Sequence, residues 1–272
     1  MSHTSQLAAS DPVAIEIGGM AIALHTQDPA FRQLLENRYA GFTKASTNTQ
    51  FEFDIELFEP TDTTQADEDV QVKRQAGQWF FQRGDFRAQW DPEAGRGHIR
   101  QSRNPYAIDS VLRIVHTLIL ARQGGFLVHA ASAIRGGRAF LFAGVSGAGK
   151  TTISRLAPPD ATLLTDEISY VRREGSEYRA CGTPFAGELA RLGENQSAPL
   201  RTLFLLEKGR ENRIEPVAKS EAIRLLLRNI LFFSEDAELV NLVFRSACKF
   251  VEQVPVRRLI FVPDERVWEM IM

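Results

Sequence analysis

The stretch "AFLFAGVSGAGKTT", residues 139–152, decides how the chain is read. It begins as an apolar run of strand length, turns glycine-rich, and continues into a lysine followed by two threonines. Gly144 to Thr151 fits G-x-x-x-x-G-K-[ST], a pattern that belongs between a buried strand and a helix start. Its glycines let successive backbone N–H groups turn inward, and the helix N-terminus adds its positive end, so the loop suits phosphate groups. On this reading Gly144, Ser146, Gly147, Ala148, Gly149, Lys150, Thr151 and Thr152 form a mononucleotide site. Lys150 is expected to bridge the β- and γ-phosphates of a nucleoside triphosphate, and the Thr151 hydroxyl to ligate Mg²⁺.

The flanks supply the chemistry. "FLVHAASAI" and "RAFLFAG" are strand-like segments joined by Gly136-Gly137, a hairpin signal. Pairing Arg135 with Arg138 across that turn puts His129 opposite Gly144, beside the phosphates. An imidazole there can orient a carboxylate or stabilise charge. After the loop, "TTISRLA" opens a short helix that Pro158-Pro159 stops. "ATLLTDEISYV" (161–171) then reads as one further buried strand, with Asp166 and Glu167 at its phosphate end. Ligands of open α/β sheets gather beyond strand carboxyl ends. Because alternation sends neighbouring side chains to opposite faces, a single acid is expected to face the γ-phosphate unless the strand has already ended there, and Asp166 is that acid.

The fold class expected is α/β, a P-loop nucleotide-binding domain preceded by a small β-rich region. Residues 1–104 form that β-rich region: "VAIEIGGMAIAL" and "FEFDIELF" alternate, and residues 70–102 look like short strands broken by glycine-bearing turns. A short helix is expected around "PAFRQLLENRYA", and the acidic segment 61–69 reads as a loop. Residues 105–272 form the nucleotide domain, opening with the amphipathic helix "YAIDSVLRIVHTLILARQ" that Gly124-Gly125 ends. His116 in that helix reads as a packed or surface histidine. "LRTLFLLEKG" and "RRLIFVP" read as strands, and "SEAIRLLLRNILFF" and "DAELVNLVFRSACKFVEQV" as helices.

Bulk properties exclude other classes. The 272 residues are 44% hydrophobic and 24% charged, with a net charge of -2, which gives no overall field toward nucleic acid or an anionic membrane. Two cysteines, Cys181 and Cys248, lack metal-type spacing and fit a reduced cytoplasmic protein. The polar N-terminus lacks a signal-peptide core, and no apolar stretch approaches the ~18 residues of a membrane span. No N-K-x-D follows the loop, against a GTPase, and no L-S-G-G-Q-like stretch is present, against a transporter ATPase.

"LVHAASAI", "LFAGVSGAGKTT", "LLTDEISYV" and "CGTPFAGE" before "PLRTLFLLEKG", in that order and spacing, resemble the HPr kinase/phosphorylase-like P-loop proteins. The core of that group is also similar to phosphoenolpyruvate carboxykinase. The resemblance covers about residues 125–210. It implies an ATP- and Mg²⁺-dependent kinase acting on a serine-like hydroxyl, with His129 as the pre-loop histidine and Asp166 as base. It further implies Asp166 and Glu167 as metal contacts and Glu188 as the later carboxylate that helps hold Mg²⁺, with Thr183 and Gly187 shaping that loop. A homo-oligomer is among the assemblies it allows. The loop ends G-K-T-T where HPr kinases tend to have G-K-S-E, and the glycine-rich stretch of the phosphorylase reaction is not found. These departures point to a peptide, protein or small-molecule acceptor rather than HPr. A regulatory ATP-binding module and a carboxykinase-like enzyme, with Arg172, Arg173 and Arg201 as its carboxylate pocket, remain the alternatives.

Overall fold

The computed structural model describes residues 11–44, 49–59, 69–189 and 193–271. All of the acidic segment 61–69 except Asp69, and nearly all of the polar N-terminus, lie outside the described residues. The chain divides into two compact units, Met1–Val111 and Leu112–Met272.

In the first unit β1 (Val13–Ile17) and β2 (Met20–Thr26) form a hairpin across Gly18-Gly19. Both glycines have positive φ (61° and 83°), the backbone that a tight two-residue turn demands. α1 (Pro29–Arg38) follows, with Asp28 accepting from the Phe31 N–H as its N-cap. β3 (Thr43–Lys44), β4 (Phe51–Leu57), β5 (Gln71–Gln75), β6 (Gln78–Arg83), β7 (Phe86–Asp91) and β8 (Arg96–Gln101) complete an eight-stranded sheet among the described residues. Its order is β3-β1-β2-β4-β8-β7-β6-β5. Alternation sorts its central strands: Phe53, Ile55, Trp79, Phe81, Trp90 and Ile99 are buried, while Asp54, Glu56, Gln82 and Arg100 are exposed. α2 (Pro105–Gln123) begins here, and the division between units falls within it. Its buried Asp109 accepts from Arg38 and from the Tyr39 hydroxyl (2.7 Å).

The second unit carries β9 (Phe126–Arg135), β10 (Arg138–Ala143), α3 (Lys150–Arg155), β11 (Thr162–Thr165) and β12 (Ile168–Glu174). After them come β13 (Glu177–Cys181), β14 (Ser197–Lys208), β15 (Arg213–Pro216), α4 (Lys219–Asn229) and β16 (Ile230–Leu231). α5 (Ala237–Gln253), β17 (Val256–Phe261) and a 3₁₀ turn at Glu265–Met270 end the unit. The strand path is β10-β9-β12-β13-β14-β17-β15, and a parallel β10–β14 pairing closes part of it into a ring. β14 separates two cores by alternation. Leu203 and Leu205 pack with Leu226 of α4 and Phe250 of α5. Phe204 and Leu206 pack with Ile153 of α3, Phe261 and Trp268.

Two sequence expectations need correction. The helix expected over residues 220–233 stops at Asn229: Ile230 turns extended (φ −68°, ψ 128°), and Ile230-Leu231 pair with Val128 and Leu127 of β9. The segment 161–171 is also not one strand. β11 pairs with Ile134–Ser132 of β9 and β12 with His129–Phe126, and the ladder lapses at Asp166-Glu167, opposite Ala131 and Ala130. A bulge at Leu164 precedes the lapse, and such irregularities re-aim side chains. β13, the short β15 and the 3₁₀ turn carried no sequence signal strong enough to be expected.

Candidate functional site

The β9–β10 hairpin has the register expected of it, Arg135 with Arg138 through Ala130 with Ala143. β10 then runs into the glycine-rich turn, and α3 begins at Lys150. Two glycines are sterically required. A Cβ on Gly144 would lie 2.7 Å from the Ala148 Cβ, and one on Gly149 would lie 2.6 Å from the Phe261 ring. Gly149 also adopts φ 112°, a conformation open to glycine and strained for other residues.

Beside this turn lies a polar cleft of about 410 Å³. Ser146, Gly147, Gly149, Lys150, Thr151 and Thr152 line its loop side, and His129, Asp166, Glu167, Gly187 and Glu188 its other side. Gly144 and Ala148 do not line it; Ala148 packs into the apolar core below, and the Gly144 carbonyl accepts from Lys150 Nζ at 3.0 Å. Lys150 is only 9% exposed. Burial pulls its ammonium below the ordinary lysine value, while the charges of Glu167 and Glu188 act the other way.

The acids hold different posts. The lapse after Thr165 lets both Asp166 and Glu167 line one cleft, where strand alternation had allowed one. Thr165 Oγ1 shapes that turn by accepting from the N–H groups of Glu167 (3.2 Å) and Ile168 (3.3 Å). Asp166 is 3% exposed, and its two oxygens accept from the Gly187 and Leu189 N–H groups, each at 2.9 Å. It therefore pins the turn that carries Glu188. Gly187 has to be a glycine here, since a Cβ would come within 2.8 Å of the Glu167 Cβ and 3.0 Å of Asp166 Oδ2. Glu188 in turn accepts from the Thr151 hydroxyl at 3.0 Å. Thr183 is fully buried and donates to the Ile168 carbonyl at 2.7 Å, which ties "CGTPFAGE" to the start of β12.

His129 stands on β9 opposite Ile168 of β12, one residue before the ladder to β10 begins at Ala130 on the other edge of β9. Burial first, then the charges of Lys150 and Arg113, push its imidazole below the ordinary histidine value, so it is neutral at pH 7. Arg113, on α2, lies 4.8 Å over the Phe185 ring. Sequence reasoning missed both Arg113, hidden in a helical pattern, and Lys208, which also lines the cleft. Strand alternation along "LRTLFLLEKG" could have found the latter. His116 is buried edge-on against Tyr170, with ring centroids 5.4 Å apart, and burial drives it down to about 3. Arg172, Arg173 and Arg201 are not among the cleft-lining residues, and Arg172 pairs with Glu174. Among the described residues no group of three or more His, Cys, Asp or Glu is placed to hold a metal ion, and no helix is long and apolar enough to cross a membrane.

These features define a mixed α/β protein with two sheets and a glycine-rich strand–loop–helix at the edge of a polar cleft. Residues 101–272 match the family model described as SynChlorMet cassette protein ScmC, and the chain belongs to that family. Among solved structures, the HPr(Ser) kinase/phosphatase from Coxiella burnetii is similar to it at 10% identity and a TM-score of 0.29, over 53% of this chain and 90% of that one. No curated protein matches the sequence.

Proposed function

We propose that this cleft binds ATP and transfers its γ-phosphoryl group to a serine-like hydroxyl on a peptide, protein or small molecule. The observation that carries the reading is the convergence on one glycine-rich turn of Lys150, the Thr151–Glu188 pair, the Asp166-Glu167 acids and His129. The motif order that resembles the HPr kinase-like proteins supports it as well.

Phosphoryl transfer asks mainly for positioning and charge neutralisation. The loop amides and Lys150 meet the phosphates. The acceptor oxygen attacks the γ-phosphorus, the bond to the β–γ bridging oxygen breaks, and the negative charge left on ADP is met by Lys150. The acceptor proton passes to a carboxylate. Asp166 was the acid expected, but its oxygens are engaged by two amides, whereas the charge of Glu167 acts directly on Lys150. We assign Glu167 as the base and Asp166 as the residue that holds the Glu188 turn. The neutral His129 imidazole accepts from or orients the acceptor hydroxyl.

The residues also fit Mg²⁺. That ion keeps several waters and takes one or two carboxylates plus substrate phosphates, so a hydroxyl and a carboxylate 3.0 Å apart beside a phosphate loop are suitable oxygen donors. Thr151 and Glu188 would hold it, with Glu167 nearby. When bound it would neutralise phosphate charge.

The test is incubation with γ-labelled ATP and a panel of peptides, free serine and HPr. Label in an acceptor is expected, with a loss of about 10²–10³-fold in Lys150→Ala, by analogy with removal of one charge-stabilising donor. A folded protein that binds ATP and labels nothing across the panel would instead be a regulatory nucleotide-binding module.

A further inference from the structure

We propose that Lys208 is a second phosphate-binding cation, reaching the nucleotide from the flank of the loop opposite the carboxylates; this rests on the nucleotide reading above. The strand order fixes the flank. β10 carries the loop, β9 lies on one side of it with His129 and, through β11 and β12, the acids, and β14 lies on the other. Lys208 ends β14.

Period-2 alternation along β14 then aims the side chain. Phe204 and Leu206 face the core beneath α3, so Lys208 continues their row. A Cβ on Gly144 would be 3.5 Å from the Leu206 Cβ, which places Leu206 directly under the start of the loop. In the β14–β17 register Lys208 stands beside Phe261, the residue packed under Gly149. Lys208 is thus bracketed by the two residues that support the ends of the loop.

The neighbouring residue gives the contrast. Glu207 points the other way and is bound by Arg258 at 2.7 Å, which also binds Glu221 at 2.8 Å. Lys208 is exposed, lines the cleft and makes no ion pair among the described residues. Three carboxylates, Asp166, Glu167 and Glu188, line the same cleft, the first two between β11 and β12, which pair with β9. A polyphosphate entering it is repelled by them, and a cation on the β14 flank both offsets the repulsion and fixes the tilt of the phosphate chain.

The experiment measures binding of ADP, ATP and inorganic pyrophosphate, with Mg²⁺, to the wild-type chain and to Lys208→Ala and Lys208→Arg, by calorimetry. A lost charge-assisted hydrogen bond corresponds to roughly a 10- to 100-fold weaker Kd for Lys208→Ala, with Lys208→Arg within a few-fold of wild type. The penalty should appear for pyrophosphate too, because that probe has neither base nor ribose. Wild-type binding with an unchanged Lys208→Ala Kd, or a penalty seen for ADP and not for pyrophosphate, overturns the inference and leaves the nucleotide reading standing. Absence of any nucleotide binding by the folded wild-type chain overturns both. Lys208 is exposed, so an unchanged thermal melt is expected to accompany each variant.

Discussion

Asp109 in the N-terminal unit and Asp166 in the C-terminal unit are each 3% exposed, yet one is surrounded by a cation and a phenol and the other by backbone amides. Burial works against the Arg38 charge, but the Asp109 carboxylate outweighs it and holds the guanidinium above its ordinary value, while burial and that carboxylate push the Tyr39 hydroxyl well up. The Asp109 charge is consumed inside a closed network. Asp166 has backbone dipoles for partners, and its oxygens fix the Glu188 turn at the edge of the cleft. A buried acid paired with a counter-charge organises a core; one held by amides at a cleft organises a site.

The largest expected effect lies in the acids of the cleft. Glu167→Gln should keep ADP affinity and thermal stability and lose transfer by about 10²–10⁴-fold, the usual worth of a general base. Asp166→Asn keeps one amide acceptor and sets its NH₂ against the other N–H, so it should lower stability by ~1–3 kcal/mol. Its effect on transfer should come through weaker nucleotide binding. If Asp166→Asn instead abolishes transfer with stability and ADP binding intact, Asp166 is the base and its amide contacts are incidental to that role.

In the other unit, Asp109→Ala strips Arg38 of a buried partner and should cost about 3–5 kcal/mol in urea unfolding. A loss under 1 kcal/mol would show the network to be no more than a surface-type pair.

The smallest effect concerns His116, whose ring nitrogens find no hydrogen-bond partner among the described residues. Its folded value, about 3, lies below the ordinary 6.5. The unfolded chain therefore takes up the proton first, and stability falls as pH drops below about 6.5. His116→Phe should flatten the acid slope by about 1.4 kcal/mol per pH unit between pH 6 and 4. Identical slopes for the two proteins would mean that the imidazole reaches water.

Much of this arrangement was legible in the residues. Gly136-Gly137 set the hairpin register, and that register carried His129 toward the loop end of the hairpin, where it lines the cleft. The loop pattern placed Lys150 and Thr151. What alternation could not give was the lapse at Asp166-Glu167, because a bulge depends on which carbonyls a neighbouring strand leaves open. Here Ala130 offers its carbonyl to the Ser169 hydroxyl at 2.8 Å. The end of α4 at Asn229 was hidden for a similar reason: Ile230 and Leu231 fit a helical stripe as well as a strand edge, and only the open side of Val128 decides between them.

β9 is the common rail for β10, β11, β12 and β16. Adding or deleting one residue within Phe126–Arg135 would invert the facing of every side chain beyond it, turning the imidazole outward and unseating the acids in the same event. The ten residues of the rail can be inherited only as a block.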